Sequence, residues 1–123
     1  MSCLFISIGK LLDIPADEVR ASVCDFMESN LDTSYQDMAI EEWIKWQLDS
    51  NPSEYIRTMR GASTWGGAME ISMCTLLYTC DIRVYDVFNP DKIVAEFVRS
   101  DFHSAPRQLR ISWSGSHYEP IVY

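Results

Sequence analysis

Cys3, His117 and Glu119 are the residues whose chemistry and placement invite a functional reading. A cysteine near one end and a histidine near the other is the layout of a thiol hydrolase whose partners meet only in the fold. A free thiol is mostly protonated at neutral pH and attacks poorly. A helix N-terminus and a nearby imidazolium both favour the thiolate. The histidine then takes and returns a proton, and the reaction is acyl transfer through a thioester. A base of this kind needs a third group to hold its tautomer and orientation. Glu119 stands two residues after His117, on the same face if the segment is extended. Two plain alternatives stand beside this reading. A cysteine in an apolar run also serves as a core residue, and a strand glutamate also serves as a solvated one. Four cysteines and two histidines allow several pairings by chance.

The elements that must position these residues follow from the hydrophobic pattern. Cys3 to Leu12 is apolar and fits a buried helix or a strand, because periodicity does not separate the two over so short a run. Asp13-Ile14-Pro15-Ala16-Asp17-Glu18 opens a helix with an early proline and acids in the first turn. Val19, Val23, Phe26 and Met27 give it one apolar face, and Asn30 stops it. A helix is predicted from about Ser34 to Leu48, with Met38, Ile40, Trp43, Ile44 and Leu48 on its apolar side. Asp49-Ser50-Asn51-Pro52 breaks it. Ser53 is the predicted cap of a short helix with Tyr55, Ile56 and Met59, ended by Gly61. Gly66-Gly67 marks a tight turn into a helix from about Ala68 to Tyr78.

After Asp81 the period changes. Ile82 to Phe88 reads as a strand, Asn89-Pro90-Asp91 as a turn, and Ile93 to Val98 as its hairpin partner. Arg107 to Trp113 alternates, Ser114-Gly115-Ser116 turns the chain, and His117 to Tyr123 reads as a last strand. Pro120 suits an edge or a bulge there. Helices come first and strands follow. The expected fold is α+β, with N-terminal helices packed on a small, mostly antiparallel sheet.

Composition narrows the function classes. The 123 residues suit one domain over 1–123, and 47% hydrophobic content supplies one core. The net charge of −8 argues against nucleic-acid binding, which needs clustered Lys and Arg. The short apolar N-terminus lacks a basic leader and a small-residue cleavage site, so no signal peptide is expected. No run approaches the roughly 18 apolar residues of a membrane span, so no membrane association is expected. The cysteines Cys3, Cys24, Cys74 and Cys80 form no CxxC pair, and His103 and His117 are the only histidines. No structural zinc site is expected. Reduced thiols and a cytoplasmic location are the default expectation, with three of the four cysteines as small buried hydrophobes.

The surrounding text carries a resemblance. Cys3-Leu4-Phe5 followed by Ser7-Ile8 resembles the nucleophile motif of the ovarian-tumour (OTU) cysteine proteases, where the cysteine opens a helix. Val19-Arg20 resembles that family's next helix. Tyr55-Ile56 and Met59 precede Trp65-Gly66-Gly67-Ala68-Met69-Glu70-Ile71, which is similar to the family's Trp-Gly-Gly-x-x-Glu-Leu/Ile segment. Ile82-Arg83-Val84-Tyr85 is similar to the following strand, and His117-Tyr118 with Pro120-Ile121-Val122 resembles the family's His-Tyr-x-x-Val ending. The motifs occur in family order across nearly the whole chain.

The resemblance implies a deubiquitinase with catalytic Cys3 and His117 and an orienting group at Glu119, where the family often has Asp or Asn. It implies ubiquitin or a ubiquitin-like protein as partner, no cofactor, and a monomer. Trp65 is expected to pack, the two glycines to allow a geometry that a Cβ forbids, and Glu70 to cap the helix or bond the turn. His103 falls in a loop and matches no motif. Most of the family carries an Asp-Gly-x loop before the nucleophile that helps form the oxyanion hole. Here two residues precede Cys3, so the Cys3 N–H and a donor from Ser2 or elsewhere are expected to serve. Each such donor is worth about 3 kcal/mol. Two rival expectations remain: an inactive OTU-like module that binds ubiquitin or another protein, and an unrelated α+β interaction domain with Cys3 buried.

Overall fold

A computed structural model describes residues 3–98 and 107–121. Helix α1 (Cys3–Leu12) settles the first ambiguity. Leu4, Phe5, Ile8 and Leu12 are buried along one side, the spacing of a helix rather than a strand. The chain leaves α1 through Asp13, in the left-handed region at φ 61°. The Ile14 N–H then bonds back to the Gly9 carbonyl at 2.9 Å and closes the helix end. Helix α2 (Ala16–Ser29) starts after Pro15 with Asp17 and Glu18 in its first turn. It buries Val19, Val23, Cys24 and Met27, and also Arg20.

The expected helix from Ser34 is corrected. Ser34–Tyr35 (β1) and Met38–Ala39 (β2) form a small antiparallel hairpin, and helix α3 covers only Ile40–Gln47. Gln36 and Asp37 both take positive φ, 49° and 69°, which is a two-residue hairpin turn. The Trp43 indole N–H closes the unit by donating to the Tyr35 carbonyl at 2.7 Å. Helix α4 (Pro52–Met59) is capped by Asn51 rather than Ser53. The Asn51 side chain accepts the Glu54 N–H at 3.2 Å, and Pro52 takes a first-turn position where no N–H is needed. Helix α5 (Ala68–Leu77) is buried continuously from Glu70 to Thr75, so it runs through the middle of the core.

Four strands complete the fold: β3 (Cys80–Asp86), β4 (Asn89–Phe97), β5 (Arg107–Trp113) and β6 (Tyr118–Pro120). Their order is β4-β3-β5-β6. The β3–β4 and β5–β6 pairs are antiparallel, while the central β3–β5 pair is parallel. The fold is thus α+β with a small mixed sheet, antiparallel in two of its three pairings. Two local expectations change. The hairpin turn is Val87-Phe88, and Asn89-Pro90-Asp91 lies inside β4. Pro90 is tolerated because β4 is an edge strand, as Pro120 is in β6 at the opposite edge. His117 sits just before β6 rather than within it.

One core joins the layers. Ile71, Met73 and Cys74 of α5 share one buried cluster with the apolar faces of α1 and α2 and the inward side chains of the sheet, and α5 packs on α2 and β3. Ile82, Val84, Leu109 and Ile111 supply that sheet face. Each such side chain contributes about 1.5–3 kcal/mol of burial energy. This core matters to function because β6 packs directly on α1. The two ends of the chain that hold Cys3 and His117 are therefore neighbours.

Candidate active site

Cys3 is the first residue of α1, where backbone N–H groups lack helical partners and the helix dipole favours negative charge. It is only 8% exposed, but it opens onto a cleft of about 440 Å³. Ser7 and Lys10 of α1, one and two turns on, line the cleft with Cys3; His117, Tyr118 and Glu119 line the facing wall. Ser7 is buried and its hydroxyl donates to the Cys3 carbonyl at 2.7 Å, which tightens the first turn. The other three cysteines are fully buried, as expected of small hydrophobes. Burial pushes the Cys24 thiol up to about 11 and the Cys74 thiol up as well, so both are protonated at neutral pH.

His117 is held by the turn that precedes it. The Ser114 N–H donates to the His117 carbonyl at 3.1 Å, and the His117 N–H donates to Ser114 Oγ at 3.1 Å. Gly115 supplies a φ of 99°, which a side chain would strain. Glu119 Oε1 lies 3.6 Å from His117 Nε2. That is ion-pair distance rather than a tight hydrogen bond. Both side chains are open to water, at 46% and 61% exposure. The same-face placement of residues two apart thus brings the carboxylate to the ring, and Nδ1 is the nitrogen left unengaged by it.

The Trp-Gly-Gly turn supports α1 from below. A Cβ on Gly66 would stand 2.8 Å from Leu4 Cδ2 and 3.1 Å from Phe5 Cε2. A side chain at this position would force Leu4 or the turn to shift. Gly67 meets no such constraint, its nearest contact being Glu70 Oε1 at 4.0 Å. Glu70 is 1% exposed and accepts the Gly67 N–H at 2.8 Å and the Tyr55 hydroxyl at 2.5 Å. The expected turn bond is present, and the tyrosine is a second partner. Burial raises the Glu70 carboxyl above the usual range against the pull of both hydrogen bonds. Trp65 departs from expectation: it is 53% exposed rather than packed.

Arg20 was legible only as part of a motif. Its guanidinium donates to the Met59 carbonyl at 2.7 Å and lies 4.4 Å over the Phe5 ring, joining α1, α2 and α4. Tyr118, Ser7 and Lys10 were not singled out as site residues. The spacing of four and seven from Cys3 was the available signal for the last two. Ser2, a candidate oxyanion donor, and His103 lie outside the described residues. Among the described residues no group of three or more His, Cys, Asp or Glu stands close enough to hold a metal ion, and no helix is long and apolar enough to cross a membrane.

Comparison with known proteins bears on this arrangement. Residues 2–119 match the family model for OTU-like cysteine protease. Ubiquitin thioesterase OTU1 of Danio rerio is 28% identical over 98% of this chain, covering 38% of that protein. The Xenopus laevis and Homo sapiens proteins of that name are each 30% identical over 98% of this chain, covering 37% and 32% of their lengths. The chain therefore spans about a third of the curated relatives it matches. Among solved structures, the OTUD1 OTU domain superposes with a TM-score of 0.77 at 15% identity, over 99% of this chain and 79% of that one. An ovarian tumour domain in complex with ubiquitin gives a TM-score of 0.71 at 24% identity, over 97% and 62%. Hazara virus OTU bound to ubiquitin gives 0.65 at 19%, over 99% and 77%. These likenesses concern the fold, whereas the family match covers nearly every residue from the candidate nucleophile to Glu119: this chain belongs to the OTU-like cysteine protease family.

Proposed function

We propose that this domain is a thiol-dependent deubiquitinase that hydrolyses the isopeptide or peptide bond after the C-terminal glycine of ubiquitin or a ubiquitin-like protein. The observation that carries the reading is the shared cleft of Cys3, His117 and Glu119, in a chain of the cysteine protease family. The names of its relatives, and of neighbours solved with ubiquitin, support the substrate class.

In the proposed reaction His117 takes the Cys3 proton and the sulfur attacks the carbonyl carbon of the terminal glycine. The C–S bond forms as the carbonyl π pair moves to oxygen. Collapse breaks the C–N bond, and His117 returns its proton to the departing amine. Water then attacks the thioester, with His117 as base, and frees the carboxylate and the thiol. Glu119 beside Nε2 orients the ring and stabilises the imidazolium, leaving Nδ1 to exchange protons with the sulfur. The Cys3 N–H at the start of α1 is one donor for the oxyanion.

A ubiquitin carrying a fluorogenic C-terminal amide tests the reading. Turnover by the parent, abolished in Cys3→Ala and reduced about a hundredfold or more in His117→Ala, is the expected result. Binding of ubiquitin with no turnover would favour the inactive-module reading instead.

A further inference from the structure

The proposed reaction leaves an aromatic hydroxyl of the cleft unused. Tyr118 lines it together with Cys3 and His117. Its ring lies 4.5 Å, centroid to centroid, from that of Trp113 at a tilt of 36°. Trp113 is its direct cross-strand partner in the β5–β6 register. Cross-strand aromatic pairs of this kind fix side-chain direction. The ring is thus clamped and half-buried at the wall facing the α1 N-terminus. Among the described residues no hydrogen bond engages its hydroxyl, in contrast to Tyr55, whose hydroxyl is committed to Glu70. A half-buried phenol held rigid beside the proposed nucleophile, its hydroxyl without a hydrogen-bond partner among the described residues, is a pre-positioned donor.

We propose that the Tyr118 hydroxyl is the second donor to the oxyanion that forms when Cys3 attacks a carbonyl carbon. The inference rests on the reading of Cys3 as nucleophile but not on ubiquitin as substrate. As the C–S bond forms, the carbonyl π pair moves to oxygen, and the hydroxyl donates a hydrogen bond to that oxygen while keeping its proton. The pair returns when the leaving group departs. Burial, followed by the charges of Cys3 and Glu70, raises the Tyr118 phenol above its ordinary value, which keeps it a neutral donor at working pH.

Tyr118→Phe removes the hydroxyl and keeps the ring on Trp113. Two small reagents separate an oxyanion role from any other. Acylation of Cys3 by p-nitrophenyl acetate passes through a tetrahedral oxyanion, whereas alkylation by iodoacetamide does not. Both are followed peptide by peptide, so that Cys24, Cys74 and Cys80 are counted apart. The expected result is acylation slowed about tenfold to a hundredfold in Tyr118→Phe, alkylation unchanged, and the same thermal midpoint. Unchanged acylation, or parallel losses in both rates, would overturn the proposal. In the fluorogenic ubiquitin assay the same variant should lose kcat with KM unchanged. Absence of turnover in the parent would count against ubiquitin as substrate and leave the small-reagent result to decide the oxyanion role.

Discussion

Glu119 stands beside its histidine rather than clamped to it. Under the proposed function, the 3.6 Å approach and the exposure of both side chains limit its orienting contribution to a modest electrostatic one. Glu119→Ala should therefore lower the hydrolysis rate about tenfold and leave the thermal midpoint unmoved, since nothing packs on an exposed carboxylate. An unchanged rate would remove Glu119 from the site. Cys24 offers a test of burial itself. Its thiol is raised by burial to about 11, while in the unfolded chain it titrates at its ordinary value. Between those values the unfolded state sheds a proton that the folded state keeps, so stability falls as pH rises through that window. Cys24→Ala should flatten that decline in urea unfolding measured from pH 8 to 11; a slope equal to the parent's would contradict the assignment. The candidate residues Cys3, His117 and Glu119 were legible from type, spacing and motif order. Tyr118 was not, because a hydroxyl's partners and a ring's clamp exist only once Trp113 lies opposite it.

The Trp-Gly-Gly turn and α1 act as one unit at the scale of elements. The turn presses on Leu4 and Phe5 immediately after Cys3, and Glu70 fastens it from within through Gly67 and Tyr55. Gly66→Ala forces Leu4 or the turn to shift. It should cost about 1–3 kcal/mol, read as a lowered urea midpoint, and should slow Cys3 alkylation as the helix start moves. Gly67→Ala, with no close contact to meet, is the matched control. Equal effects of the two would show that the contact with α1 is not what Gly66 serves. The elements also show where sequence reading failed. Met38, Ile40, Trp43 and Ile44 recur at helical spacing, and that periodicity absorbed the preceding hairpin into α3. The true signal was Gln36-Asp37, two polar residues in left-handed geometry, which lacks the glycine that usually announces such a turn. The Val87-Phe88 turn was hidden in the same way, because an apolar pair was read as strand and the adjacent Asn-Pro-Asp as the bend.

Over the whole molecule, the helices-then-strands order was readable, and the sheet order was not. Placing β5 parallel to β3 rather than beside β4 requires a crossover that no local pattern encodes. That crossover leaves β6 next to β5 and against α1, and so brings the chain's two distant ends to one cleft. The acidic balance of the chain acts at this scale too. With a net charge of −8, a substrate with a basic tail should be steered toward it. Under the proposed function kcat/KM should fall as ionic strength rises from 20 to 500 mM, with kcat little changed. A salt-independent kcat/KM would show that the surface charge has no part in recognition.

Under the proposed function Cys3 is a nucleophile served by His117 toward a ubiquitin-type C-terminus. A ubiquitin bearing a C-terminal thiol-reactive group, incubated with the protein and followed by intact mass and peptide mapping, addresses it directly. One covalent adduct is expected, located on Cys3, absent in Cys3→Ala and slowed in His117→Ala. An adduct on Cys24, Cys74 or Cys80, or no adduct from a folded parent, would contradict it.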